Sequence, residues 1–150
     1  METTFKLAEQ ADVNLLVELM EQFYEFEHLA FDEQIAREAL GKLLGDASLG
    51  RVWLIQYGEQ PIGYVVLTFG FSLEFRGRNA IVDELYIRPG YREQGAGKRA
   101  LAFVEHVCRA LGIEALRLEV ERANTNAQAV YRKFGFKDHD RYLMTKWISH

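Results

Sequence analysis

Apolar residues recur along the chain at two periods, and the switch between them divides it. Leu15, Leu16, Leu19, Met20 and Phe23 return every three or four positions, the spacing of one helical face, and Asp12 stands where an N-cap belongs. Before it, Thr4 to Ala8 can form a short first strand. A second helical pattern starts at Asp32, runs through Ile35, Ala39, Leu40 and Leu43-Leu44, and closes near Gly45.

From Arg51 the pattern turns to strands. Arg51–Tyr57, Pro61–Phe71 and Ala80–Arg88 are joined by turns at Gly58-Glu59 and near Arg76-Gly77-Arg78, which predicts an antiparallel meander. Leu101, Val104, Val107, Cys108 and Leu111 then share one face of a helix from about Gly97 to Leu111, stopped at Gly112. Leu116, Leu118 and Val120 alternate with Arg117, Glu119 and Glu121 as the next strand. A short helix follows from about Asn126 to Phe134, ends at Gly135, and leads to two last strands, Phe136–His139 and Tyr142–Ile148. A meander followed by strand, helix, parallel strand, helix and strand predicts an α+β fold, with sheet and helices in one domain over residues 1–150.

Composition narrows the class of protein. Hydrophobic content of 49% and charged content of 27% are those of a globular chain. No apolar run is long enough to span a bilayer, and Met1-Glu2-Thr3-Thr4-Phe5 lacks a basic-then-apolar signal pattern. The single cysteine, Cys108, cannot form an internal disulfide, which suits a reducing cytoplasm, and its place on the apolar stripe makes it a core residue. The net charge of −4 hides an asymmetry: residues 1–50 carry a balance of −8 and residues 51–150 a balance of +4. Such a split suits a polyanion held by the C-terminal part and a cation near the N-terminal part. The basic residues are scattered without a basic-aromatic surface pattern, which disfavours nucleic acid.

The segment Arg92-Glu93-Gln94-Gly95-Ala96-Gly97-Lys98 follows a strand and a Pro89-Gly90 turn and enters a helix. Glycines one residue apart at a helix start let a ligand approach the backbone. Unpaired N–H groups of the first turn, with the helix dipole, then favour an anion. Arg92, Lys98 and Arg99 add positive charge, and the whole reads as a phosphate cradle. A lone Gly-x-Gly is weak evidence, since plain turns and caps share it. A Rossmann loop, with Ala100 in its third-glycine position, would open its βαβ unit near the first strand, whereas this loop follows several strands. A Walker loop would place Ser or Thr where Arg99 stands.

Arg92-x-x-Gly95-x-Gly97, after Asp83-Glu84-Leu85-Tyr86-Ile87-Arg88-Pro89, resembles the acetyl-coenzyme A loop of the GNAT N-acetyltransferase superfamily. Asn124-x-x-Ala127-x-x-x-Tyr131-x-x-x-Gly135-Phe136 resembles that family's later strand–helix element, in the family's order. The similarity is clear over residues 80–137. It implies a GNAT-like mixed, mostly antiparallel central sheet in which a splayed parallel strand pair forms the acetyl-coenzyme A cleft. It also implies acetyl-coenzyme A as cosubstrate, no metal, and a homodimer as a common assembly.

The resemblance further implies roles for particular residues. Arg92, Glu93, Gln94, Gly95, Ala96, Gly97 and Lys98 would surround the diphosphate. Backbone amides of Leu85, Tyr86 and Ile87 would hold the pantetheine arm and stabilise the carbonyl oxygen as it becomes anionic. Asn124, Asn126 and Ala127 match the region that contacts pantetheine and diphosphate, although helix capping accounts for such residues equally well. Tyr131 matches the tyrosine that protonates the leaving thiolate; a phenol with a pKa of about 10 can serve a thiol of roughly 8.5.

For the acceptor, the pattern comes closest to polyamine and small-amine acetyltransferases. Asp83 aligns with their amine-binding acid, and Glu84 beside it is the alternative cleft carboxylate. Neighbours on a strand face opposite sides, so one of the two is expected in the cleft. Glu27, in the acidic and aromatic run Glu21, Tyr24, Glu25, Phe26, Glu27, His28, resembles a second amine-binding position. The run equally describes a solvated helix face, and His28 reads as a surface or packing residue rather than a catalytic one. The function these features imply is acetyl transfer to a primary amine, a small cationic one. A protein N-terminus or lysine is the alternative acceptor, and a non-catalytic acyl-coenzyme A-binding domain the alternative of another class. Consumption of acetyl-coenzyme A with a panel of amines separates them.

Overall fold

The computed structural model describes residues 2–150; Met1 lies outside them. In chain order the elements are β1 (Thr3–Leu7), a 3-10 turn (Gln10–Asp12), α1 (Val13–Phe26), α2 (Glu33–Gly45), β2 (Gly50–Tyr57) and β3 (Gln60–Ser72). They continue with β4 (Gly77–Ile87), α3 (Ala96–Ala110), β5 (Ala115–Leu118) and α4 (Thr125–Lys133). The chain divides into two compact units, one closing at Glu119 and the other spanning Val120–His150. No helix among the described residues is long and apolar enough to cross a membrane.

The first unit is a five-stranded sheet in the order β1-β2-β3-β4-β5, antiparallel up to β4 and parallel between β4 and β5. It confirms the mixed α+β architecture and the meander. β2 and β3 read as nearly unbroken apolar runs because the sheet is covered on both faces. Val52, Leu54, Tyr64, Val66 and Tyr86 pack with Leu16, Val17 and Leu19 of α1 and Leu40 of α2. The alternate residue Trp53 meets Phe103 of α3 edge-on at 5.2 Å, and Phe5 of β1 stacks on the same ring at 4.4 Å. Val104 and Cys108 on the apolar stripe of α3 are buried, as expected.

Local signals worked unevenly. Asp32 caps α2 as expected, its carboxylate accepting from Ile35 N–H at 3.1 Å. Asp12 precedes α1 but does not cap it. Its carboxylate accepts from Glu9 N–H at 2.9 Å and pairs with Lys6 at 3.3 Å, fixing the 3-10 turn that enters the helix.

In the second unit, α4 is capped by Asn124, whose side chain accepts from Ala127 N–H at 3.1 Å. It stops at Gly135, which takes a φ of 94° that favours glycine. Arg132 grips Asp138 with two bonds of 3.0 and 2.6 Å. The two last strands expected at Phe136–His139 and Tyr142–Ile148 do not form: no strand follows α4. Alternating apolar residues make a strand only when a neighbour takes up the backbone N–H and C=O groups. Here a backbone bond stays local, Arg141 N–H to His139 O at 2.9 Å, and Leu143, Met144 and Trp147 remain exposed.

Candidate active site

The helix start after β4 is built as a cradle. Glu93 and Gly95 both take positive φ, 66° and 81°, so the loop curls and aims successive amides at one place. The first bond that closes α3 runs from Arg99 N–H to Gly95 O at 3.0 Å. The Ala96, Gly97 and Lys98 amides therefore have no partner within the helix. A Cβ added at Gly97 would meet nothing within 4 Å, so this face is open to a ligand. The arrangement fits a diphosphate. Of the three expected cations, Arg99 is spent on the loop itself, donating to Gln94 O at 2.9 Å. Arg92 anchors the loop to the sheet through Ile87 O at 2.7 Å, and Lys98 is exposed.

β4 and β5 pair only from Asn79–Ala115 to Val82–Leu118. Beyond Val82 the β4 edge, Asp83 to Ile87, has no β5 partner, and Ile87 O is taken up by the Arg92 guanidinium instead. This is the splay that the resemblance implied. On the α1 side of the same strand lies a groove of about 240 Å³, lined by Phe23, Phe26, Glu27, Leu85, Tyr86, Ile87 and Arg92. It brings together three sets of expected residues: the strand Leu85, Tyr86 and Ile87, the loop residue Arg92, and the acceptor residue Glu27. The Arg92 guanidinium stacks over Phe26 at 4.1 Å and lies 5.5 Å from the Tyr86 ring centre, tying the loop to the end of α1.

Asp83 and Glu84 sit at a β-bulge. The β3–β4 register shifts between Val66 and Leu67, so Val66 faces Glu84, Leu67 faces Val82, and Asp83 has no residue opposite. Glu84 is half-buried and accepts from Tyr24 Oη at 2.5 Å and Tyr64 Oη at 2.7 Å. Burial pushes its carboxyl up, the two hydroxyls pull it down, and the nearby Asp83 charge pushes it up again; the net direction is upward. Asp83 keeps an exposed side chain, and partial desolvation raises its carboxyl too. Tyr24 and Tyr64 did not emerge as site residues from the sequence. Tyr24 lies in the acidic-aromatic run, but its partner is 60 residues away, and Tyr64 reads as any buried strand residue.

Of the residues in the second unit, Asn124 and Ala127 are joined in the α4 cap, and Asn126 is exposed. Tyr131 is half-buried on α4 with its ring 6.0 Å from Phe136, edge to face. Glu27 follows α1 directly, and His28 turns the chain with a φ of 57° and is exposed.

A mixed sheet whose parallel pair parts beside a helix start with an open glycine face is the arrangement of an acyl-coenzyme A transferase cleft. The chain belongs to the acetyltransferase (GNAT) family, whose model matches residues 13–136. It is an acetyl-coenzyme A-dependent N-acetyltransferase. It is similar to the thialysine N-epsilon-acetyltransferase of Bos taurus, 27% identical in an alignment 140 positions long that covers 87% of this chain and 82% of that protein. Among solved structures, an integron cassette protein from the mobile metagenome of Cole Harbour Salt Marsh is 37% identical with a TM-score of 0.85. That match covers 97% of this chain and 91% of the other. A predicted acetyltransferase from Clostridium acetobutylicum, solved with acetyl-CoA, shares the fold at a TM-score of 0.81 and 19% identity, covering 97% and 96% of the two chains.

Proposed function

We propose that the acceptor is a small cationic amine that enters the groove between α1 and β4. The observation that carries this reading is the groove itself, in which Glu27 and the splayed strand line one cavity. Acetyl-coenzyme A, when bound, supplies the acetyl thioester. The Ala96, Gly97 and Lys98 amides would hold its diphosphate, with Arg92, Glu93, Gln94 and Gly95 shaping the loop and Asn124, Asn126 and Ala127 contributing from α4. Leu85, Tyr86 and Ile87 would present backbone donors along the unpaired edge. Glu27 and Asp83 would attract and orient the ammonium group, and Tyr131 would donate a proton to the leaving sulfur. In this reading the enzyme works in the reducing cytoplasm, and as a homodimer that sedimentation would reveal.

Release of free thiol against polyamines, aminoglycosides, amino acids and peptides tests the acceptor class. Charge-assisted contacts to an ammonium weaken as salt screens them, with a Debye length of about 8 Å at 0.15 M. The KM of the best substrate should therefore rise with ionic strength, and Glu27→Gln and Asp83→Asn should each raise it further. An anionic best substrate, with KM insensitive to salt and to Glu27→Gln, would remove the cationic reading and leave the acetyltransferase standing.

One observation favours a second acceptor. Arg92 lines the same groove as Glu27, so a carboxylate on the substrate would find a cation there. The bovine relative is named for the N-epsilon position of thialysine, which points to a lysine-like acceptor for that protein. Lysine and 1,5-diaminopentane carry the same terminal amine and differ by the α-carboxylate. A higher kcat/KM for lysine selects the amino-acid acceptor; a higher value for the diamine selects the polyamine class.

A further inference from the structure

The half-buried carboxylate of Glu84 is held on both oxygens. Tyr24 of α1 donates to Oε2 and Tyr64 of β3 to Oε1, so three elements meet on one side chain. Tyr64 is 1% exposed. Burial and the neighbouring carboxylates raise both phenols far above their ordinary range, so the hydroxyls remain donors at any working pH. Each carboxylate oxygen keeps a second lone pair for another proton donor. The groups facing Glu84 are thus Tyr24, Tyr64 and, on its own strand, Asp83. The nearby Tyr86 hydroxyl is turned to Gln22 Oε1 at 3.3 Å. Asp83 has no such support: its carboxylate makes no hydrogen bond or ion pair among the described residues, and the residue is exposed.

We propose that Tyr24 and Tyr64 are positioning residues that lock Glu84 in one orientation as the carboxylate taking the proton of the acceptor amine, while Asp83 only attracts the ammonium. This rests on the acetyltransferase reading of the groove. The alkylammonium gives one proton to Glu84, and the freed nitrogen pair forms the C–N bond. The thioester C–S bond breaks, sulfur keeps that pair, and the second proton lost by nitrogen ends on sulfur. Glu84 then returns its proton to solvent. A carboxylate with a pKa of about 4 is a poor partner for an amine near 10; desolvation narrows that gap, and the fixed hydroxyls keep the group aligned without neutralising it.

Removing one hydroxyl removes a contact that favours the charged form, so Glu84 should hold its proton to higher pH. In Tyr24→Phe and Tyr64→Phe the acidic limb of kcat/KM should move upward, with roughly a tenfold loss at its acidic end and little change on the alkaline side. Carbon-13 NMR titration of the Glu84 carboxyl in the resting protein should move the same way, whichever amine is the substrate. Glu84→Gln should lower kcat roughly a hundredfold, whereas Asp83→Asn should act mainly on KM. Tyr24→Phe, at the more exposed hydroxyl, keeps the test open if Tyr64→Phe unfolds. A limb that stays in place in folded Tyr24→Phe overturns the proposal, even if the NMR titration shifts. So does near-normal kcat in Glu84→Gln with kcat lost in Asp83→Asn. An absence of thiol release with every amine would instead count against the acceptor reading, and the NMR titration would still decide whether the tyrosines control Glu84.

Discussion

Gly97→Glu is expected to weaken acetyl-coenzyme A binding by at least about a hundredfold while leaving the protein as stable as before, or more so. The Cβ of residue 97 would point into space with nothing within 4 Å, so the fold has no reason to move. A glycine inside a helix costs about 1 kcal/mol relative to alanine. A carboxylate in the first turn gains roughly 0.3–1 kcal/mol from the helix dipole. Both effects favour the variant's folded state, yet they put an anion where the diphosphate would lie. Gly95→Glu should also lose the cofactor but with a lower Tm. Its side chain would sit at a φ of 81° with Arg99 only 3.3 Å from the new Cβ. Calorimetric titration and a melting curve on the two variants separate binding from folding. Unchanged affinity in a folded Gly97→Glu protein would remove the loop from the cofactor site.

Turnover in Tyr131→Phe should fall roughly a hundredfold, the scale of one positioned acid–base group, with little change in cofactor affinity. The phenyl ring preserves the edge contact with Phe136 at 6.0 Å, so α4 and its Gly135 stop should persist. What disappears is the proton donor for the leaving sulfur. Single-turnover measurements isolate the chemical step from product release. A variant with normal single-turnover rates would take Tyr131 out of the chemistry.

The sheet was readable because its strands are apolar runs bounded by turns at Gly58 and Gly77, signals that act within a few residues. The cradle was readable for the same reason: Gly95 and Gly97 are a local requirement of backbone geometry. The Glu84 triad was not, because Tyr24 and Tyr64 lie 60 and 20 residues from Glu84, and nothing near either marks its partner. The bulge that leaves Asp83 without an opposite residue depends on the β3–β4 register, which two apolar strands do not specify to the residue. Alternation alone treated Asp83 and Glu84 as residues on two faces. It could not show that one is held by phenols and the other is solvated. Arg99 looked like a phosphate ligand by charge, but its guanidinium reaches Gln94 O, a contact that only the folded loop creates. The apolar alternation from Tyr142 onward failed in the opposite way: the pattern is present, and a pairing edge is not.

Cys108 has a practical bearing on how this enzyme is assayed. It is the only cysteine in the chain and is 4% exposed on the packed side of α3. Burial, helped by the charge of Glu105, raises its thiol above the ordinary range, which disfavours the reactive thiolate. A disulfide reagent added to follow coenzyme A release should therefore find no titre on the native protein, and the colour can be assigned to product without blank correction for the enzyme. The same reagent added to denatured protein should reveal one equivalent per chain, so a slow background in the assay would serve as a gauge of unfolding.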